Sequence, residues 1–312
     1  MSKYEIKSNL SEKQIEADVA AYLGWCSEDI MPFRLLDTDE LKTGADKEHH
    51  PKYGGVIYIQ FKKSEGLEPI SKVPSSRRKN RSKKEDIREF RDKNKLNDDP
   101  TLYFKLRNQA KNAKDFQHNI LRKHHCPPNS YAIYVAPLFL DKEVYYESLF
   151  NSCCRYLLDP FYWRLNDKYS FQSIRHIPFL KNHVSIVPHE KVDDSNHYYA
   201  YSQAGTDISW HSPSILEHEP RRLSDFIYNL FEDKKREEGY TIQQIVNNII
   251  EIAKNYQVEL PLRDFPFRDF PLRDFPFNEY EGEPILLIKK YGEWLKFNYN
   301  IKQFLIVRNQ NY

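Results

Sequence analysis

Apolar and polar positions along the chain predict alternating helices and strands. Ser11 to Leu23 is expected to be a helix, with Ser11 as N-cap, Gln14 completing a capping box and Gly24 just past the end. Pro32 to Leu36 predicts a short strand. Gly55 to Lys63, GVIYIQFKK, is the clearest strand, rich in β-branched and aromatic residues after a Gly54-Gly55 turn. Leu102 to Arg122 predicts a second long helix, and Tyr131 to Ala136 a buried strand stopped by Pro137. Short strands are expected at Val184–Val187, Tyr198–Tyr201 and Ile208–Trp210, then amphipathic helices at Leu223–Glu237 and Ile242–Tyr256. This order predicts an α/β fold with a mixed central β-sheet flanked by helices and a mostly helical C-terminal region.

The Gly55–Lys63 strand carries the most informative alternation. Ile57, Ile59 and Phe61 share one face, while Val56, Tyr58, Gln60 and Lys62 share the other. The second face begins apolar and ends with an amide and an ammonium. Burying a lone ammonium is costly, so an acid is expected opposite. Two candidates lie upstream. Asp46 precedes the strand by the length of a short hairpin, and Glu16 shares a helical stripe with Val19, Ala20 and Leu23. Two carboxylates and an amide oxygen are the hard ligands that Mg²⁺ or Mn²⁺ prefers. Lys62 would then orient an attacking water or neutralise developing charge.

A helical Glu16, then Gly44-Ala45-Asp46, then Gln60-Phe61-Lys62 resembles the PD-(D/E)xK nuclease superfamily. That superfamily includes restriction endonucleases, archaeal Holliday-junction resolvases and related defence nucleases. The resemblance covers roughly the first 140 residues. It implies a restriction-endonuclease-like core of order α-β-β-β-α-β, and catalytic residues Glu16, Asp46, Gln60 and Lys62. Of these, Glu16, Asp46 and Gln60 would hold Mg²⁺ or Mn²⁺. Two departures stand out: no proline precedes Asp46, and Gln60 replaces an acid, which weakens metal binding. Gln117 and His118, late in the expected second helix, are secondary candidates for assisting the site.

Charge adds a partner class. The chain has 47 Lys+Arg against 45 Asp+Glu, but Lys72 to Lys84 holds seven cations and no acid, leaving the rest mildly acidic. Lys72, Arg77, Arg78, Lys79, Arg81, Lys83 and Lys84 could each meet a phosphate and make binding steeply salt-dependent, or form a solvated loop. Within the resemblance this segment is a DNA-contacting insertion at about residues 64–100, and Lys63 joins the nucleic-acid-binding set. Four scattered cysteines suggest reduced thiols in a cytoplasmic protein. No apolar run approaches about 18 residues, which argues against a membrane span. No P-loop or G-x-G-x-x-G is present, so any ATPase is expected to be a partner protein.

These observations divide the chain into a nuclease-like domain, residues 1–215, and a C-terminal accessory region, residues 216–312. The latter holds four proline-led pentads at residues 261–280, read as a linker or a docking strip. The expected function is metal-dependent hydrolysis of DNA by an endonuclease in restriction or antiviral defence, with a homodimer letting two sites address two strands. The alternative is a catalytically weak nuclease-like subunit that binds DNA and works with a partner protein.

Overall fold

The computed structural model describes residues 4–25, 33–35, 53–74, 82–96, 100–109, 115–127, 130–151, 178–205, 207–210, 214–215, 221–236, 242–258 and 283–308. The chain begins with β1 (Glu5–Ile6), α1 (Glu12–Trp25), β2 (Phe33–Leu35), β3 (Tyr53–Phe61) and β4 (Glu65–Leu67). It continues through α2 (Lys83–Lys93), β5 (Thr101–Lys105), α3 (Gln117–Lys123), β6 (Ser130–Pro137) and α4 (Lys142–Asn151). Next come α5 (Pro178–Lys181), β7 (His183–Ile186), β8 (Tyr198–Ser202), β9 (Ile208–Trp210), β10 (Ser214–Ile215) and β11 (Arg221–Arg222). Helices α6 (Leu223–Arg236), α7 (Ile242–Val258) and α8 (Pro284–Tyr299) lead to β12 (Lys302–Arg308).

The fold is mixed α/β with two six-stranded sheets. One runs β1-β4-β5-β8-β9-β10 and is antiparallel throughout. The other runs β11-β7-β6-β3-β12-β2, and its β3–β6 pair is parallel while the remaining pairs are antiparallel. Alternation along β3 splits the core as its sequence predicts. Val56 and Tyr58 join Phe104, Tyr199 and Tyr201 of the first sheet, together with residues of α3, α7 and α8. Ile57, Ile59 and Phe61 pack instead against Ile15 and Val19 of α1, Tyr145 of α4 and Ile227 of α6. Outside the first sheet, Ile87 of α2 covers Tyr103 and Tyr198. Among the described residues no helix is long and apolar enough to cross a membrane.

Several expectations change. The helix expected over Leu102–Arg122 is two elements: Thr101–Lys105 is a strand and the helix begins only at Gln117. Thr101, Tyr103 and Phe104 suit a pleated surface, and β4 and β8 flank the segment on both sides, so distant pairing overrides any local helical pattern. Gly54 and Gly55 lie inside β3 rather than in a turn, and α1 continues through Gly24 to Trp25. The Gln14 side chain bonds Asp18 (2.9 Å), and a complete capping box occurs instead at Ser82 and Glu85, opening α2.

The insertion expected at about 64–100 contributes β4 and α2 to the first sheet and its cover. Gly66 in β4 is required by close approach, since a Cβ there would meet Leu140 Cδ1 at 2.7 Å. The boundary expected at 215/216 does not separate two cores. Strand β12 lies between β3 and β2, and α6, α7 and α8 fill the same two apolar clusters as residues before 215. The described C-terminal part is mostly helical, but its strands β11 and β12 both belong to the second sheet. The pentads at 261–280, Arg77, Arg78, Lys79, Arg81 and Asp46 lie outside the described residues.

Candidate functional site

Strand β3 ends where the chain changes sheets. The Lys62 N–H extends the parallel pairing by donating to the Val135 carbonyl (2.9 Å). Two residues on, the buried Ser64 hydroxyl donates to the Pro137 carbonyl and accepts from Tyr201 of β8 (2.6 Å). This crossing holds Gln60 and Lys62 at the open end of the second sheet. Both are buried, at 1% and 6% exposure.

Around that end lies a cleft of about 880 Å³. Helix α1 lines it with Glu12, Lys13 and Glu16, and β3 and its extension with Gln60, Phe61 and Lys62. Lys105 and Arg107 border it at the end of β5. The remaining wall is the turn from α8 into β12: Lys296, Phe297, Asn300 and Lys302. Asn300 makes that turn possible by adopting the left-handed conformation (φ 53°, ψ 37°), its N–H capping the Lys296 carbonyl at 2.9 Å.

Three of the four expected catalytic residues thus border one cavity: Glu16, Gln60 and Lys62. The fourth, Asp46, is not described. Glu16 and Gln60 belong to opposite sides of the second sheet and meet at its end. The partner of Glu16 is one the sequence did not announce, Lys302, whose Nζ lies 2.7 Å from Glu16 Oε1. Lys302 pairs with Ile59 in the sheet register and so rises on the α1 side.

Six cations line the cleft against two carboxylates, Glu12 and Glu16. The excess suits an anion. Burial lowers the pKa of the Lys62 ammonium below the usual lysine value, Glu12 opposes that shift, and Arg107 adds to it. Gln60 is more unusual. Neither Nε2 nor Oε1 of its amide has a hydrogen-bond partner, although both are buried. His183 Nε2, Ser224 Oγ and Gln303 Oε1 are also buried without partners, but Gln60 has both polar atoms unpaired and borders the cleft.

The remaining expected residues sit elsewhere. Gln117 opens α3 and donates to the Tyr299 carbonyl. His118 spans Tyr134 Oη (2.9 Å) and the Glu190 carbonyl (2.7 Å), and burial lowers its pKa to about 4. Neither borders the cleft: the α3 helix begins so late that both are packing residues. Lys63 pairs with Glu65 (3.0 Å), and Lys72 with Glu68 (2.9 Å). Lys84 pairs with Glu5 (2.6 Å) and lies over the Tyr103 ring, while Lys83 opens α2. The described ends of the basic run therefore meet acids of the body. The concentration of cations that the sequence did not reveal is in the cleft, because Lys13, Lys105, Arg107, Lys296 and Lys302 come from segments far apart in the chain.

The resemblance implies a divalent ion, and the described donors match one in type: the Glu16 carboxylate and the unpartnered Gln60 carbonyl oxygen. Among the described residues, one group of three metal-ligating side chains stands close together, Asp193, Asp194 and His197, with ligand atoms within 4.8 Å. Its two aspartates are exposed and His197 pairs with Asp194 (3.1 Å), an arrangement common without any ion. Compared with protein-family models, with functionally curated proteins and with solved structures, the chain matches none.

Proposed function

We infer that this cleft binds and hydrolyses a phosphodiester of DNA, making the protein a metal-dependent endonuclease with a restriction-endonuclease-like core. The observation that carries the reading is the Gln60 amide, buried and without a hydrogen-bond partner, beside the buried Lys62 in a cleft of excess positive charge. The parallel β3–β6 pair with α3 between its strands, and α1 packed on the β3 face, are in keeping with that core. A role in restriction or defence against foreign DNA follows from the resemblance alone.

Glu16, Asp46 and the Gln60 carbonyl would hold Mg²⁺ or Mn²⁺, which would supply Lewis-acid polarisation of the phosphodiester and a more acidic water. The chain's own groups do the rest. Lys105, Arg107 and Lys296 attract and align the backbone phosphates. Lys62, its proton loosened by burial, stabilises charge developing on the reacting phosphate or orients the attacking water. Lys302 holds the Glu16 carboxylate at the cleft wall.

The test is plasmid cleavage with Mg²⁺ or Mn²⁺, comparing wild type with Lys62→Ala, Asp46→Ala and Glu16→Gln. Wild type is expected to nick or linearise DNA, and each variant to lose about a hundredfold or more. An intact plasmid with wild type over a wide metal range, or equal cleavage by all four, overturns catalysis here. One observation favours a second reading, a nuclease-like subunit that binds DNA without cutting it: Glu16 is already paired to Lys302. Salt-sensitive DNA binding with no heat on Mn²⁺ titration is its signature.

A further inference from the structure

Phe297 has 76% of its surface exposed, in a helix whose neighbouring Leu295 and Tyr299 are buried. Its position is fixed by α8 and by the Asn300 turn, and it borders the same cleft as Lys105, Arg107 and Lys296. An exposed aromatic ring bordering a cleft lined by cations matches what a nucleotide strand presents, charged phosphates alternating with flat bases. Bases within a duplex have both faces covered by their neighbours, so a protein ring can stack only on an unpaired or extruded base. An acidic peptide would satisfy the cations but give the ring no partner.

We propose that the cleft takes an unpaired stretch of DNA, with Phe297 as the platform on which one base stacks. This rests on the nucleic-acid reading above and adds the form of the substrate. Lys105, Arg107 and Lys296 track the strand's phosphates, and Phe297 sets the preference for single strands over duplex.

The test measures binding by the full chain at fixed salt with EDTA, so that cleavage plays no part. The probes are a labelled oligo(dT) of about twenty nucleotides and a duplex of the same length. Oligo(dT) is expected to bind more tightly. Phe297→Ala should weaken it about tenfold while changing duplex binding little. Phe297→Trp should restore affinity, with indole fluorescence quenched as oligo(dT) is added. Thermal melting confirms that Phe297→Ala is folded. Unchanged oligo(dT) affinity in Phe297→Ala, unquenched fluorescence in Phe297→Trp, or equally effective competition by polyglutamate overturns the stacking proposal. If wild type cuts plasmid yet ignores Phe297, only this proposal fails; if it binds neither probe, the nucleic-acid reading fails with it.

Discussion

Buried polar side chains occur in two regions of this protein, and they are treated in opposite ways. In the interior around α3 and the first sheet, each is tied to specific partners. His124 joins the Ile120 carbonyl (2.6 Å) and Tyr291 Oη (2.8 Å), and His118 is held at both ring nitrogens. Arg91, fully buried, reaches Asp207, Ser209 Oγ (3.3 Å) and the Ala200 carbonyl (3.4 Å). At the open end of the second sheet, Gln60 has no such partner and Lys62 has its charge disfavoured by burial. Interior polarity mostly holds the fold, with single atoms of His183, Ser224 and Gln303 left unpaired, whereas at the cleft both polar atoms of Gln60 are unpaired.

The largest expected effect tests the interior. His118, His124 and His183 each have a pKa lowered by burial from 6.5 to about 4. Their neutral forms belong to the folded state, whereas the unfolded chain takes up protons as pH falls below 6.5. Stability from these rings is therefore complete above pH 6.5 and is lost as pH falls towards 4, at up to about 3 kcal/mol per ring. Unfolding free energies from urea titrations at about pH 7 and about pH 4.5 should differ by several kcal/mol. Equal stabilities at the two pH values would mean that the rings carry charge inside the fold.

Next in size is Asp207→Ala, which leaves the buried Arg91 guanidinium without its carboxylate. A loss of about 3 kcal/mol is expected, read from urea unfolding. A loss below about 1 kcal/mol would rank this pair with exposed ones and blur the contrast between the regions. The smallest effect has the opposite sign. Gln60→Leu removes two unpartnered polar atoms and should stabilise the free protein by about 1–2 kcal/mol, and under the nuclease proposal it should weaken plasmid cleavage. Destabilisation by that change would show the amide to be satisfied within the fold, placing Gln60 with the interior set.

Much of the second sheet could be read along the chain because its signals are local. The two-residue alternation of β3 separated Tyr58 and Gln60 from Ile59 and Phe61, and β6, β7, β8, α6 and α7 lie close to their expected positions. Glu16, Gln60 and Lys62 were identified as a group, and they do border one cavity. What could not be read depends on partners distant in sequence. Residues 102–105 become a strand because β4 and β8 bracket them. Neither α8 nor β12 was foreseen, although Pro284 at the helix start, Asn300 at its end and the apolar run Phe304–Val307 are recognisable signals in retrospect. Lys302 and Phe297 were missed with those elements. Lys105 and Arg107 were missed because they fell inside a misassigned helix.

Strand β12 has a consequence for when the site comes into being. It sits between β3 and β2, which precede it by well over two hundred residues, and it delivers Lys302 to Glu16 and seats the Phe297 turn beside Lys62. A nascent chain emerging from the ribosome can assemble the antiparallel β4–β5–β8 portion early, but among the described residues β2, though it packs on α1, has no strand to pair with until residues 302–308 arrive. The cleft is thus complete only once residues 302–308 have joined the sheet. A copy in which those residues have not docked lacks both the Lys302–Glu16 pair and the Phe297 wall, so the cleft and the complete second sheet come into being together.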